Sequence, residues 1–183
     1  MDRMLQQTDD SALAAAALGG DREAFRRLVE RHYDLIYRLA CRYLRSAADA
    51  EDIAQDVCIT LATKLAHFKG RSRFTTWLAS VTINACRDSL RRRKSSERLT
   101  ANYVVQRSLE EAGQDNTEDQ SRWLEEALAG LEPNLRETVI LVVAEDLSHA
   151  EAAEILGCAE STVSWRMHMV KKRLRALMDK QDG

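Results

Sequence analysis

Two sets of side chains in this sequence have the types and spacing to hold a polyanion. One follows Gly157: Ser161, Thr162, Ser164, Trp165, Arg166 and His168, then Lys171, Lys172, Arg173 and Arg175, with no acid from Ser161 to Arg175. The other is Ser80, Asn84, Arg87 and Arg91, at three- and four-residue steps, with Phe68, Lys69, Arg71 and Arg73 shortly upstream. Asn and Arg read base edges, long cations hold phosphates, and an aromatic ring stacks on an unpaired base. Hydrolysis or metal chemistry would instead need convergent carboxylates or His/Cys ligands. The histidines are scattered, and Asp49, Glu51, Asp52 and Asp56 crowd onto one helix. The four cysteines form no C-x-x-C pair, which argues against a zinc site and a secreted disulfide framework. The chemistry expected is binding, with no catalysis, metal or cofactor.

The elements that must carry these residues are helices. Ser148 to Glu151 has the form of a capping box opening a short helix, His149 to Leu156. Gly157 suits a left-handed helix end, and a second helix begins near Glu160 with Val163, Met167, Val170 and Leu174 inward. Two helices joined by a tight glycine turn make a helix-turn-helix, whose second helix enters the major groove with its early residues at base edges. The late basic run would then meet phosphates. Trp165 could pack on a thymine methyl or shelter against the first helix of the motif.

Upstream, three amphipathic stretches can close a small core. Ala24 to Leu44 carries Phe25, Leu28, His32, Leu35, Leu39 and Tyr43 at helical steps, and the next carries Ile53, Val57, Leu61, Leu65 and Phe68. Phe74 opens the third, with Trp77, Leu78, Val81 and Ala85 inward, and it runs out in Arg91 to Lys94. Phe68 ends an apolar stripe and adjoins three cations, so it reads equally as core and as a stacking ring. Asp49, Asp52 and Asp56 can share a face with Gln55. Helix-dipole complementarity explains the first acids, and docking on a basic partner explains the whole face.

The organisation follows as an all-α chain of two small helical domains: residues 1–94, a flexible acidic linker over 95–121, and residues 122–183 containing the helix-turn-helix. In the last, Pro133 begins a helix with Leu135, Val139, Ile140 and Val143. Seven Gly and one Pro in 183 residues leave few breaks for a sheet protein. The net charge of −2 conceals segregation: Gly20 to Lys94 holds sixteen Lys/Arg against nine Asp/Glu, whereas Ser95 to Ser121 holds two against six. A polyanion-binding part beside an acidic connector fits that pattern. No stretch approaches membrane-spanning length and no leader pattern is present, so a cytoplasmic protein with reduced cysteines is expected.

"LSHAEAAEILGCAESTVSWRMHMVKKRLRALM" resembles the C-terminal promoter-reading domain of the extracytoplasmic-function class of sigma factors, in the sigma-70 family. "DAEDIAQDVCITLATKLAHFKGRSRFTTWLASVTINACRDSLRRRK" resembles the part of that family that binds core polymerase and melts the −10 element. The resemblance covers roughly Ala24 to Lys94 and Trp123 to Met178. It implies a promoter-specificity subunit acting with core RNA polymerase on promoter DNA, and an anti-sigma factor as a further partner. It also implies that the helix of Asp49, Asp52, Gln55 and Asp56 docks on a coiled-coil element of the largest polymerase subunit. A flipped −10 base would sit near Phe68, the Lys69–Arg73 loop and Asn84, and the −35 element would be read from Ser161 to Lys172. Promoter elements about 17 base pairs apart lie roughly 58 Å from each other. A 27-residue linker reaches about 30 Å as a coil and about 90 Å extended.

The sequence departs from the family at Ser164, where a basic residue is usual, and at Trp165, where a small one is; Arg166 matches. "VVAEDLS" also lacks the Arg common before the motif. The −35 preference is therefore not transferable from better-known members. The competing function is a stand-alone helix-turn-helix regulator of duplex DNA, which gives no reason for the basic, aromatic first domain.

Overall fold

The computed structural model describes residues 2–99, 127–128 and 130–178, with side chains for 10–95, 127–128 and 130–178. The chain divides into two compact units, Met1–Ser95 and Ser96–Gly183. Every regular element among the described residues is helical. Most of the expected acidic connector, from residue 100 on, lies outside the described residues, as do Trp123 and Leu124.

The first unit contains α1 (Asp2–Leu18), α2 (Arg22–Leu44), α3 (Ala47–Lys64), a 3-10 turn (Leu65–His67) and α4 (Phe74–Leu99). Asp21 caps α2 by accepting from the Glu23 and Ala24 amides at 2.9 and 3.1 Å. Ser46 caps α3 by accepting from the Asp49 amide at 3.3 Å. Between them the chain turns at Arg45, which has φ 57° and donates its N–H to Cys41. Each cap satisfies amides that the first helical turn leaves without partners.

Leu28, Ile36, Leu39, Val57, Leu61, Leu65, Phe74, Leu78 and Ile83 form the fully buried centre of this unit. The stripe on α2 is rotated from the expected one: Ala24 and Ile36 are buried, while Phe25 and Leu35 are half-buried. On α4 the inward face includes Phe74, Leu78, Ala79, Val81, Thr82, Ile83 and Cys86, leaving Trp77 and Ala85 at its margin. The helix also continues five residues past Lys94, to Leu99.

Helix α1 was not evident from the periodicity. It packs on α2, with Leu13 and Ala14 buried, and brings to that helix a buried carboxylate, Asp10, which is 3% exposed. Arg31 Nη1 lies 2.7 Å from Asp10 Oδ1, and His32 Nε2 lies 3.0 Å from Oδ2. Burial pushes the Asp10 carboxyl up, but His32 and then Arg31 outweigh it and hold it below its ordinary value. His32 is therefore an internal residue with a charged partner, which its place in an apolar stripe did not reveal.

The second unit contains α5 (Pro133–Val139), a π turn (Ile140–Ala144), α6 (His149–Leu156) and α7 (Glu160–Met178). Leu131, Leu135, Val139, Met167 and Val170 form one buried cluster, with Leu128, Val142, Met169 and Leu174 packed at its edge. The π turn changes the helical phase. Glu145 N–H reaches back to Ile140 O at 3.0 Å, Leu141 becomes fully buried, and Val143, expected inward, is 64% exposed.

Candidate nucleic-acid interface

Local sequence fixes the turn before α7. Ser148 and Glu151 form a reciprocal capping box: the Glu151 carboxylate accepts from the Ser148 amide at 2.9 Å, and Ser148 Oγ accepts from the Glu151 amide at 3.2 Å. At the other end of α6, Gly157 has φ 65°, a conformation that a side chain would strain. Cys158 then donates to Ala153 O at 3.1 Å, closing the helix. These two devices set where α7 starts.

Val163, Met167 and Val170 hold α7 to the core, so its opposite side faces out. Ser161, the adjacent pair Ser164 and Trp165, then His168, Lys172 and Arg175 recur there at three- and four-residue spacing, all exposed. Trp165 is 57% exposed, so it does not shelter against α6. Lys171 flanks the stripe, while Thr162 and Arg166 lie half-buried on another side. Ser164 has a partner across the motif: its Oγ lies 2.9 Å from Nδ1 of His149. Sequence spacing singled out Ser164 but not His149, whose link to α7 depends on the turn geometry.

In the first unit, a second polar face lies on α4. Asn84 and Arg91 are exposed and Arg87 and Ser80 half-buried. Arg87 Nη1 donates to Asn84 Oδ1 at 3.2 Å, which orients the amide while leaving its NH2 and one oxygen lone pair for a base edge. Arg91 donates to Asp88 Oδ1 at 2.9 Å. Ser80 Oγ donates to Trp77 O at 2.6 Å, so what it offers outward is acceptor capacity.

Phe68 joins an aromatic cluster just before α4. Its ring meets Phe74 edge-on at 5.4 Å and Trp77 at 5.4 Å; Phe74 also meets Trp77 at 5.6 Å and His32 at 5.2 Å. Phe74 is buried, whereas Phe68 and Trp77 are half-buried, so the cluster runs from the core to the surface. Such contacts fix ring orientation, each contributing about 0.5–1.5 kcal/mol beyond area burial. Lys69 and Arg71 are exposed and Arg73 is half-buried beside this cluster, with Gly70 at φ 66° making the bend between them.

The acidic face on α3 is divided. Asp52, Gln55 and Asp56 are exposed, but Asp49 is half-buried and its Oδ2 lies 3.5 Å from Arg93 Nη1. Continuing the exposed row one turn beyond Asp56 is Ile59, 75% exposed. An apolar side chain held in water beside acids suits a mixed polar and apolar partner surface. Ile59 was legible as an isoleucine outside the Ile53/Val57/Leu61 stripe.

The thiols have a different character. Burial pushes the Cys86 thiol up to about 12 and also raises Cys58, which disfavours reactive thiolates. Cys41 and Cys158 are half-buried and free. No helix among the described residues is long and apolar enough to cross a membrane.

Comparison with known proteins places both faces in a common frame. Residues 28–96 match Sigma-70 region 2, and residues 121–174 match Sigma-70 region 4. The ECF RNA polymerase sigma factor SigM of Mycobacterium tuberculosis is 32% identical, over 94% of this chain and 86% of that protein. The ECF RNA polymerase sigma-E factor of Haemophilus influenzae is 30% identical, over 96% of this chain and all of that protein. Among solved structures, CnrH in complex with the cytosolic domain of CnrY matches with a TM-score of 0.70 at 25% identity, covering 94% of this chain and 98% of that one.

Proposed function

The chain belongs to the extracytoplasmic-function class of the sigma-70 family and is an RNA polymerase sigma factor, and from that premise we propose how its two units divide the work. Residues 1–94 bind core polymerase and open the −10 element, 122–183 read the −35 element, and 95–121 connect them. The observation that carries this division is the presence of two separate outward polar faces, on α4 and α7, one within each matched region.

On α7, Ser161, Ser164, Trp165 and His168 face base edges, and Lys171 and Lys172 meet phosphates. Thr162 and Arg166 lie off that stripe and serve the flanking backbone. On the first unit, Asn84 reads an exposed −10 base, with Ser80, Arg87, Arg91, Lys69, Arg71 and Arg73 holding the strand around it. Removing a base from its stack costs a few kcal/mol. Stacking on an aromatic side chain returns about 1–3 kcal/mol per base, so Phe68 and the adjacent cations are suited to offset that cost. The ring packing supports a surface already shaped before DNA arrives.

Asp52, Gln55 and Asp56 dock on core polymerase, with Asp49 steadied by Arg93 at the edge of that surface. The protein acts in the cytoplasm, has no catalysis of its own, and needs no cofactor. The complex of CnrH with the cytosolic domain of CnrY supports a protein partner for this chain as well, and the family resemblance makes that partner an anti-sigma factor. Runoff transcription with purified core enzyme tests the assignment. Promoter-specific transcripts that require both units are expected; duplex binding by the second unit with no effect on core polymerase would favour a stand-alone regulator.

A further inference from the structure

The contact between His149 and Ser164 joins the two helices of the helix-turn-helix through their polar surfaces. His149 is the first residue of α6, immediately after the Ser148 cap, so the backbone from which its ring projects is fixed by the capping box. Ser164 lies on the outward stripe of α7, and Nδ1 to Oγ is 2.9 Å. An exposed serine without a partner turns among three rotamers. Here one rotamer is selected by a residue outside the helix that meets the DNA.

The pairing also decides what the hydroxyl presents. A hydroxyl has one donor hydrogen and two acceptor lone pairs, whereas each imidazole nitrogen either carries a proton or accepts one. With the proton on Nδ1, the ring donates to Ser164, whose O–H is then released toward an acceptor such as purine N7 or guanine O6. With Nδ1 bare, Ser164 donates to the ring and offers its oxygen to an amino group of adenine or cytosine. The major groove distinguishes base pairs by this pattern of donors and acceptors.

We propose that His149 is a positioning residue for −35 recognition, fixing both the direction and the hydrogen-bonding sense of Ser164. The inference rests on α7 being the base-reading helix. It adds a specificity determinant that lies on the first helix of the motif, where positions along α7 alone would not reveal it.

The test is selection on a randomised −35 library by the full-length chain with core polymerase, comparing wild type, His149→Ala, His149→Asn, Ser164→Ala, the double alanine variant and Trp165→Ala. Asn at 149 keeps a polar atom near the place of Nδ1. Expected are losses of discrimination of about five- to tenfold at one shared base pair for His149→Ala and Ser164→Ala. The double variant should be no worse than either single one, with most of the preference restored by Asn and unchanged melting temperatures. If Ser164→Ala shifts the preference and His149→Ala does not, or if His149→Ala weakens all sequences alike, the positioning role is wrong. If neither Ser164→Ala nor Trp165→Ala changes the preference, α7 is not the reading helix and the inference falls with that assignment.

Discussion

The two DNA-suited faces are built differently. On the first unit, the residues assigned to the −10 strand are tied into the fold: Phe68 lies in an aromatic cluster, Asn84 accepts from Arg87, and Ser80 donates to Trp77 O. On the second, Trp165, His168 and Lys172 stand out in solvent, and among the described residues the tie from this stripe to another helix is Ser164 with His149. The contrast matches the tasks proposed for the two faces. Capturing a base that has left its stack demands a surface shaped in advance, because ordering it at that moment would add to the cost of unpairing. Duplex DNA presents a regular groove and phosphate rows, to which long exposed side chains can adapt.

Substitutions can sharpen or break this contrast, beginning with the core beneath the first face. Phe74→Ala removes the buried ring shared by His32, Phe68 and Trp77 and should destabilise the first unit by about 3–5 kcal/mol in urea unfolding. Asp10→Ala should follow, at about 1–3 kcal/mol, because it leaves buried His32 without its carboxylate. The lowered Asp10 pKa makes its contribution fully present above the ordinary carboxyl range and lost as pH falls through the lower folded value. The wild-type advantage over Asp10→Ala should therefore vanish in acid; an advantage that persisted there would rule out this electrostatic link.

Surface changes should act on binding instead. Asp52→Arg with Asp56→Arg should lower affinity for core polymerase at least tenfold, about 1.4 kcal/mol, with native-like circular dichroism. Unchanged affinity would remove the docking role of this face. Smaller still is Lys171→Gln with Lys172→Gln. It should weaken all promoters alike and reduce the salt slope by about one unit per lost phosphate contact. Altered −35 preference in that variant would move these lysines from backbone to base contacts.

Much of this was legible in the residues. The capping box, the glycine turn and the inward Val163, Met167 and Val170 follow from local chemistry and helical period, and the structure has all of them. What the sequence hid depends on phase or on long-range contact. The π turn moved Leu141 inward and Val143 outward, which a constant period of 3.6 does not anticipate. His32 looked like an ordinary stripe residue because its partner, Asp10, belongs to the preceding helix, which has no apolar rhythm of its own. His149 meets Ser164 only through the turn between α6 and α7, a contact that local spacing does not announce. Phe68 lies between the two sequence readings: half-buried, packed on core rings and open on one side.

The proposed division of labour between the two units turns on Asn84, the exposed amide at the centre of the α4 face. Its most direct test is open-complex formation by Asn84→Ala with core polymerase, across promoters varied singly through the −10 element. The predicted result is normal core binding with impaired opening, and an impairment that disappears when one particular −10 base is already substituted. Unimpaired opening, or an equal loss on every −10 variant, would contradict a base-reading role for this face.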